Sequence, residues 1–267
     1  MNSGPRQIVR WESGAAPVRA LDELAGEEPL EIRIDNKPVS VTMRTPGHDD
    51  ELAAGLLLSE GLIRRQEQIL KIAHHPRHRG QNVVGVFLAP DTEVDLRRLD
   101  RHFPVSSSCG LCGKTSIASV RQRFPSVKTK VTVAASILLR LPETLRERQS
   151  DFDRTGGLHA AGLFEASGRL LVAREDVGRH NAVDKVLGHA LLNGWIPLRR
   201  HVLFVSGRVS FEIVQKALAG GIPVIAAVSA PTSLAVEMAR SGGQTLVGFV
   251  RGRRLNVYAH AGRVKFD

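Results

Sequence analysis

Hydrophobic positions follow two different periods along this chain, and the change between them sets the first outline of a fold. Over residues 31–42 the apolar residues Ile32, Ile34, Val39 and Val41 alternate around Asp35-Asn36-Lys37-Pro38, which is the period and turn chemistry of a β-hairpin. A helix is predicted to start at Thr45-Pro46. Threonine can cap it, proline suits the first helical position, and Asp49, Asp50 and Glu51 meet the positive end of the dipole. Leu52, Leu56 and Ile63 then face the core. Three adjacent acids point in different directions around a helix, so the first-turn role is preferred to a shared metal. Residues 83–88 predict a short strand, and residues 91–102 are charged and expected to be exposed.

From residue 158 onward strands alternate with helices. Strands are predicted at 168–174, 202–206, 223–229, 245–250 and 255–259, and helices at 180–192, 211–219 and 233–240. Val183, Val186, Leu187 and Leu191 share one side of the first of these helices. The runs Val202-Leu-Phe-Val205 and Val224-Ile-Ala-Ala-Val228 are apolar at every position and need cover on both faces, as parallel strands joined by helical crossovers have. The expectation is an α/β layered domain at residues 105–267, a smaller N-terminal α+β domain at 29–104 with a boundary near Pro104, and a mobile or loosely attached arm at 1–28, where periodicity is weak.

At 42% hydrophobic and 24% charged residues, the 267-residue chain has a globular composition. Its formal charge of +10 favours anionic partners: phosphates, nucleic acid or an acidic protein. Aromatic residues are only 4% and are not interleaved with the arginines, which disfavours single-strand nucleic-acid binding. No apolar run reaches membrane-spanning length, and residues 202–250 are broken by Ser, Gly, Pro and charge. With no signal-like apolar core near Met1, the expected location is the cytoplasm, without nucleic-acid or membrane partners. The stretch His74-His75-Pro76-Arg77-His78-Arg79 lacks helical spacing and reads as a solvated basic turn rather than a metal site.

Ligands of open α/β sheets gather outside the carboxyl ends of the strands. The loops there read Glu175-Asp-Val-Gly-Arg179-His180-Asn181, Ser206-Gly207-Arg208, Ser229-Ala-Pro-Thr232 and Arg251-Gly252-Arg253-Arg254. Small residues let amides approach an anion, helix N-termini add partial positive charge, and arginines bind phosphate oxygens in pairs. A diphosphate would suit such an edge. His180 is read as a core or cap histidine, and Asp176 and Asp184 as orienting groups for nearby Arg or Lys.

The only two cysteines stand in Ser106-Ser107-Ser108-Cys109-Gly110-Leu111-Cys112-Gly113-Lys114, at the entry to an amphipathic run, 115–124, expected to be helical. Amides, helix dipole and Lys114 can lower a thiol pKa there, and the thiolate is the nucleophile. Such a thiolate can take the outer sulfur of a donor's persulfide. Cys112 could stabilise the carrier, share the sulfur, or expel it by forming a 109–112 disulfide. A CxxC pair also occurs in redox proteins and zinc sites. Thioredoxin-like chemistry is disfavoured because the pair does not follow an early strand of a βαβ unit, and structural zinc because no second pair exists.

Several segments together resemble the FdhD family, accessory sulfurtransferases needed for formate dehydrogenase activity. They are Thr45-Pro-Gly-His-Asp-Asp-Glu-Leu52, Leu58-Ser-Glu-Gly61, Ser107-Ser-Cys-Gly-Leu-Cys-Gly113, Gly157-Leu-His-Ala-Ala161, Arg174-Glu-Asp-Val-Gly-Arg-His-Asn-Ala-Val-Asp-Lys185, Val205-Ser-Gly-Arg208 and Val228-Ser-Ala-Pro231. The resemblance implies a sulfur carrier that accepts sulfur from a cysteine desulfurase as a persulfide on Cys109. The sulfur then passes to the molybdenum bis-guanine-dinucleotide cofactor before insertion into formate dehydrogenase. It further implies a cytidine-deaminase-like fold for the larger domain, a homodimer, and contact between the guanine nucleotide moieties and Phe249, Val250, Arg251, Gly252, Arg253 and Arg254, a segment richer in arginine here than the family pattern. The cofactor is a bound substrate, and no tightly held prosthetic group or metal is expected. The rival suggested by that fold, zinc-dependent deamination, needs H-x-E or C-x-E and P-C-x-x-C, and the sequence has neither pair, with Ser108 where proline would stand. A noncatalytic cofactor chaperone is the alternative.

Overall fold

The computed structural model describes residues 5–75, 81–95 and 124–267. It opens with an antiparallel hairpin of β1 (Pro5–Arg10) and β2 (Val18–Glu23), in register from Pro5 opposite Glu23 to Arg10 opposite Val18. The expected loosely attached arm therefore carries structure of its own at 5–23. Backbone pairing rather than burial makes it: Val9, Val18 and Leu21 stay exposed, so no buried face imposes a hydrophobic period on the sequence.

The predicted second hairpin is present as β3 (Glu28–Ile34) and β4 (Lys37–Arg44). Asp35 and Asn36 both have positive φ, 46° and 68°, as the two central residues of a type I′ turn require. Two further strands, β5 (Ile69–His74) and β6 (Val83–Leu88), complete a four-stranded sheet of order β4-β3-β6-β5. Its buried residues Leu30, Ile32, Ile34, Val84 and Val86 share a core with α1 (Asp49–Ser59).

Helix α1 starts later than Thr45-Pro46 predicts. Its N-cap is His48, in the left-handed region at φ 55°, and Thr45 stays outside the helix because its backbone and side chain both bond elsewhere. The anticipated core face holds, with Leu52, Leu56 and Ile63 all buried.

The remaining chain builds a mixed six-stranded sheet of order β13-β12-β11-β10-β8-β9. Its strands are β8 (His159–Glu165), β9 (Leu170–Asp176), β10 (His201–Val205), β11 (Val224–Ala227), β12 (Thr245–Arg251) and β13 (Arg254–Ala259). The short β7 (Val133–Ala134) pairs separately with β14 (Val264–Lys265). As the apolar runs predict, β10, β11 and β12 are parallel and covered on both faces. Leu203, Val205, Ile225 and Ala227 pack toward α1, α4 (Arg179–Leu192), α5 (Phe211–Ala219) and α6 (Ser233–Ser241). Their alternates Val202, Phe204, Val224 and Ala226 pack toward Leu138, Leu141 and Leu145 of α2 (Ala135–Arg146). A short helix, α3 (Ser150–Thr155), leads into β8.

One core thus runs from the small sheet through α1 into α4 and the large sheet. The helices α1 and α4 touch backbone to backbone: a Cβ on Gly188 would lie 1.8 Å from the Glu51 carbonyl oxygen, and one on Gly55 1.9 Å from that of Asp184. The expected boundary near Pro104 and the helix at 115–124 fall largely or wholly outside the described residues, as do Cys109 and Cys112.

Candidate functional site

Strands β9, β10, β11 and β12 all point the same way, because β8 is antiparallel to both β9 and β10. Their carboxyl ends, with the first residue of β8 and the β12–β13 turn, therefore meet at one edge of the sheet. All four loops singled out in the sequence lie there. Those after β10, β11 and β12 are also stitched together. The Val209 amide donates to the Ala230 carbonyl at 3.1 Å, the Thr232 amide to that of Val209 at 3.0 Å, and the Phe249 amide to that of Ser229 at 3.1 Å.

The segment predicted to contact nucleotide divides by its surroundings. Arg251, Gly252, Arg253 and Arg254 are exposed at the turn, and the Arg251 guanidinium stands 5.3 Å from the centre of the half-buried Phe249 ring. Phe249 has φ 53°, costly for an aromatic residue, and sits at a bulge between Gly248 and Arg251. Val250 is fully buried in the α2-side core, so its side chain supports the turn and does not face a ligand.

Behind the edge, the two longest matching motifs lock into each other through buried charge. Thr45 donates its amide to Asp176 Oδ2 at 3.2 Å and accepts the Val177 amide on Oγ1 at 3.0 Å. Lys185 Nζ bonds Asp176 at 2.8 Å and the Thr45 carbonyl at 2.9 Å. Asp176 further accepts the Gly178 amide and Asn181 Nδ2, and Asn181 also donates to the Met43 carbonyl. In the first turn of α1, Glu51 accepts from Arg174 Nε and Nη2 at 2.5 and 2.6 Å and lies 2.8 Å from His189 Nδ1. Burial pushes the Glu51 carboxyl up, but the Arg174 and His189 hydrogen bonds outweigh it and the net shift is downward. Asp49 holds Arg44 through two bonds of 2.9 and 3.0 Å. The acids expected merely to face a helix dipole include two that make buried ion pairs.

Asp184 and Asp176 behave as orienting groups, each bound to a lysine, Lys216 at 2.7 Å in the first case. His180 is buried with Nε2 3.0 Å from the Ser210 hydroxyl, in keeping with a satisfied core histidine. His74, from the basic stretch, ends β5 with Nε2 3.7 Å from Asp49, and residues 76–80 lie outside the described ones. Among the described residues no three His, Cys, Asp or Glu side chains group as a metal site.

Beside the edge, between the strand ends and α2 and α3, opens a cleft of about 940 Å³. Arg146, Phe152, Gly157, His159, Ser206 and Val228 line it. The alternating pattern from residue 158 does not mark β8, the antiparallel strand that His159 opens. Its only signal was its place in Gly157-Leu-His-Ala-Ala161. Burial, then the charges of Arg179 and Arg208, hold its imidazole below the ordinary histidine range despite Asp176 nearby, which favours the neutral ring. What the edge and cleft can do chemically is hold an extended anion with an organic body beside it. Among the described residues no helix is long and apolar enough to cross a membrane.

Known proteins are similar to this chain. The model of the FdhD/NarQ family matches residues 25–265. The sulfur carrier protein FdhD of Streptomyces coelicolor is 52% identical, covering 97% of this chain and 94% of its own. That of Mycobacterium tuberculosis is 49% identical, covering 96% of each chain. In three dimensions the chain is similar to a crystal structure from Desulfotalea psychrophila assigned as a formate dehydrogenase accessory protein, with TM-score 0.76 and 26% identity over 98% of this chain and 99% of the other.

Proposed function

The chain belongs to the FdhD/NarQ family, and from that membership we propose that it is a sulfur carrier in formate dehydrogenase maturation, working through a persulfide on Cys109. The observation that carries the proposal is the joint presence of Cys109-Gly-Leu-Cys112 and a sheet edge where four Gly- and Ser-rich, arginine-bearing loops converge. One provides a transferable sulfur and the other a seat for a polyphosphorylated substrate.

The steps balance as follows. The Cys109 thiolate attacks the outer sulfur of a cysteine desulfurase persulfide, a new S–S bond forms at Cys109, and the desulfurase thiolate leaves. The substrate, the molybdenum bis-guanine-dinucleotide cofactor, sits with its nucleotide phosphates at the edge formed by Phe249 and Arg251 to Arg254. The Cys112 thiolate then attacks Cys109 Sγ, expelling hydrosulfide toward the cofactor while the two cysteines supply two electrons and become a disulfide. A cellular thiol reductant restores the pair. The three layers, with β8 set antiparallel between β9 and β10, support the cytidine-deaminase-like description, and a homodimer working in the cytoplasm is part of the same proposal.

Intact-mass spectrometry tests it, after incubation with a cysteine desulfurase and cysteine. The expected result is a reducible gain of one sulfur atom that persists in Cys112→Ala and disappears in Cys109→Ala. No gain in any variant, with guanine-nucleotide binding retained, would replace the carrier by a noncatalytic cofactor chaperone.

A further inference from the structure

Three nitrogen-bearing side chains gather at the sheet edge beside the cleft with no hydrogen-bond acceptor among the described residues. His159 lines the cleft, and neither ring nitrogen has a hydrogen-bond partner among those residues. A side chain on Gly207 would come within 3.3 Å of its Nδ1, so the ring lies close against the loop that carries Arg208. Arg179 Nε, at the first turn of α4, is buried and unpaired. Arg208 is exposed, and its charge, like that of Arg179, reaches the imidazole.

The carboxylate nearest in register cannot neutralise this group. Asp176 stands opposite His159 in the β8–β9 pairing, but its oxygens are already used by Lys185, Thr45, Gly178 and Asn181. Across the cleft α2 contributes Glu143 and Arg146 to the lining and its C-cap contributes Glu147, and Ser206 Oγ is occupied as an acceptor for the Ala160 amide. His159 and the buried Arg179 Nε thus lack an acceptor among the described residues, which a bound anion would supply.

We infer that His159 is a proton-carrying contact for a phosphate group, which seats between His159, Arg179 and Arg208 and draws a proton onto the imidazole as it binds. The inference rests on the proposal that this edge receives the nucleotide part of the cofactor. A neutral imidazole offers one N–H and a protonated one two. In the empty site the two arginines and burial oppose the charged ring. A diphosphate, with one negative charge on each phosphorus, reverses that opposition, so binding and proton uptake favour each other. The specificity that results is for a diphosphate over neutral groups of similar size.

Calorimetric titration with GDP from about pH 6.5 to about pH 8.5, in two buffers of different ionisation heat, tests this on the intact protein and on His159→Gln. A terminal phosphate titrates near about 6, and comparison of the two proteins cancels its contribution. Wild type should take up more protons than H159Q, and its affinity should rise with falling pH by up to about tenfold per unit more steeply, the limit for one linked proton. Equal proton uptake and equal slopes would overturn the role of His159 while leaving nucleotide binding at the edge intact. Absence of GDP binding by wild type at every pH would overturn the nucleotide site itself. A wild-type measurement guards against a misfolded variant: the His159 imidazole resonance should move toward its protonated position on adding GDP at about pH 7. A resonance unmoved by saturating GDP overturns the inference.

Discussion

Lys185 Nζ lies 2.8 Å from Asp176 Oδ2, with the two side chains 1% and 0% exposed. The pair joins the second turn of α4 to the last residue of β9, directly beneath the edge where the loops converge, and the same ammonium reaches the Thr45 carbonyl. A buried ion pair gives little net stability over an apolar pair, but removing one partner strands the other's charge. Lys185→Met should therefore cost about 3–5 kcal/mol in a urea unfolding curve. A loss under about 1 kcal/mol would mean that the three neutral donors to Asp176 suffice alone.

The contact of α1 with α4 is made by glycine. Gly188→Ala places a methyl against the Glu51 backbone and forces the helices apart, with an expected loss of about 1–3 kcal/mol or more. Gly262→Ala meets nothing within 4 Å and should stay within about 0.5 kcal/mol of wild type. Thermal melts of the two variants check the contrast, and equal melting points would refute the close approach.

Glu51 gives the fold an acid-sensitive joint. Its carboxyl is held below the usual range in the folded protein, so its contribution is fully present above the unfolded value of about 4.3. That contribution is lost as pH falls through the depressed folded value. Stability measured down the acid range should drop less steeply in Glu51→Gln than in wild type. Parallel curves would show that Arg174 and His189 do not depress this group.

The exposed arginines of the β12–β13 turn are predicted to act on nucleotide and not on sulfur. Arg251→Gln with Arg254→Gln should weaken GDP binding by about tenfold or more, taking about 1.5–3 kcal/mol for each charged hydrogen bond lost. Persulfide loading, read by intact mass, should be unchanged. Equal loss of both activities would point to misfolding or a shared site.

Much of this was legible in the chain. Each helix and strand predicted from residue 158 onward is present to within a few residues at its ends, because the apolar runs of β10 and β11 need helices on both sides. The Asp35-Asn36 turn was legible because few residue types accept two positive φ angles in succession. β8 was not, since an antiparallel central strand and a parallel one bury the same residue types. Nor was the hairpin at 5–23, whose exposed strands carry no buried face to impose a pattern.

The sequence by itself determined the local elements, the cysteine pair, the basic loops and, through its motifs, the family. Those depend on residue type and spacing within a few positions. Only the tertiary structure decided what the charged motif residues do. Thr45, Glu51 and Asp176 read as a cap, a dipole acid and an orienting group. In the fold they join segments more than a hundred residues apart, and a cap or an ion pair of such reach is chosen by which partner burial brings within about 3 Å. The same holds for His159, an unremarked residue at a strand start until three parallel strand ends and two arginines were folded around it.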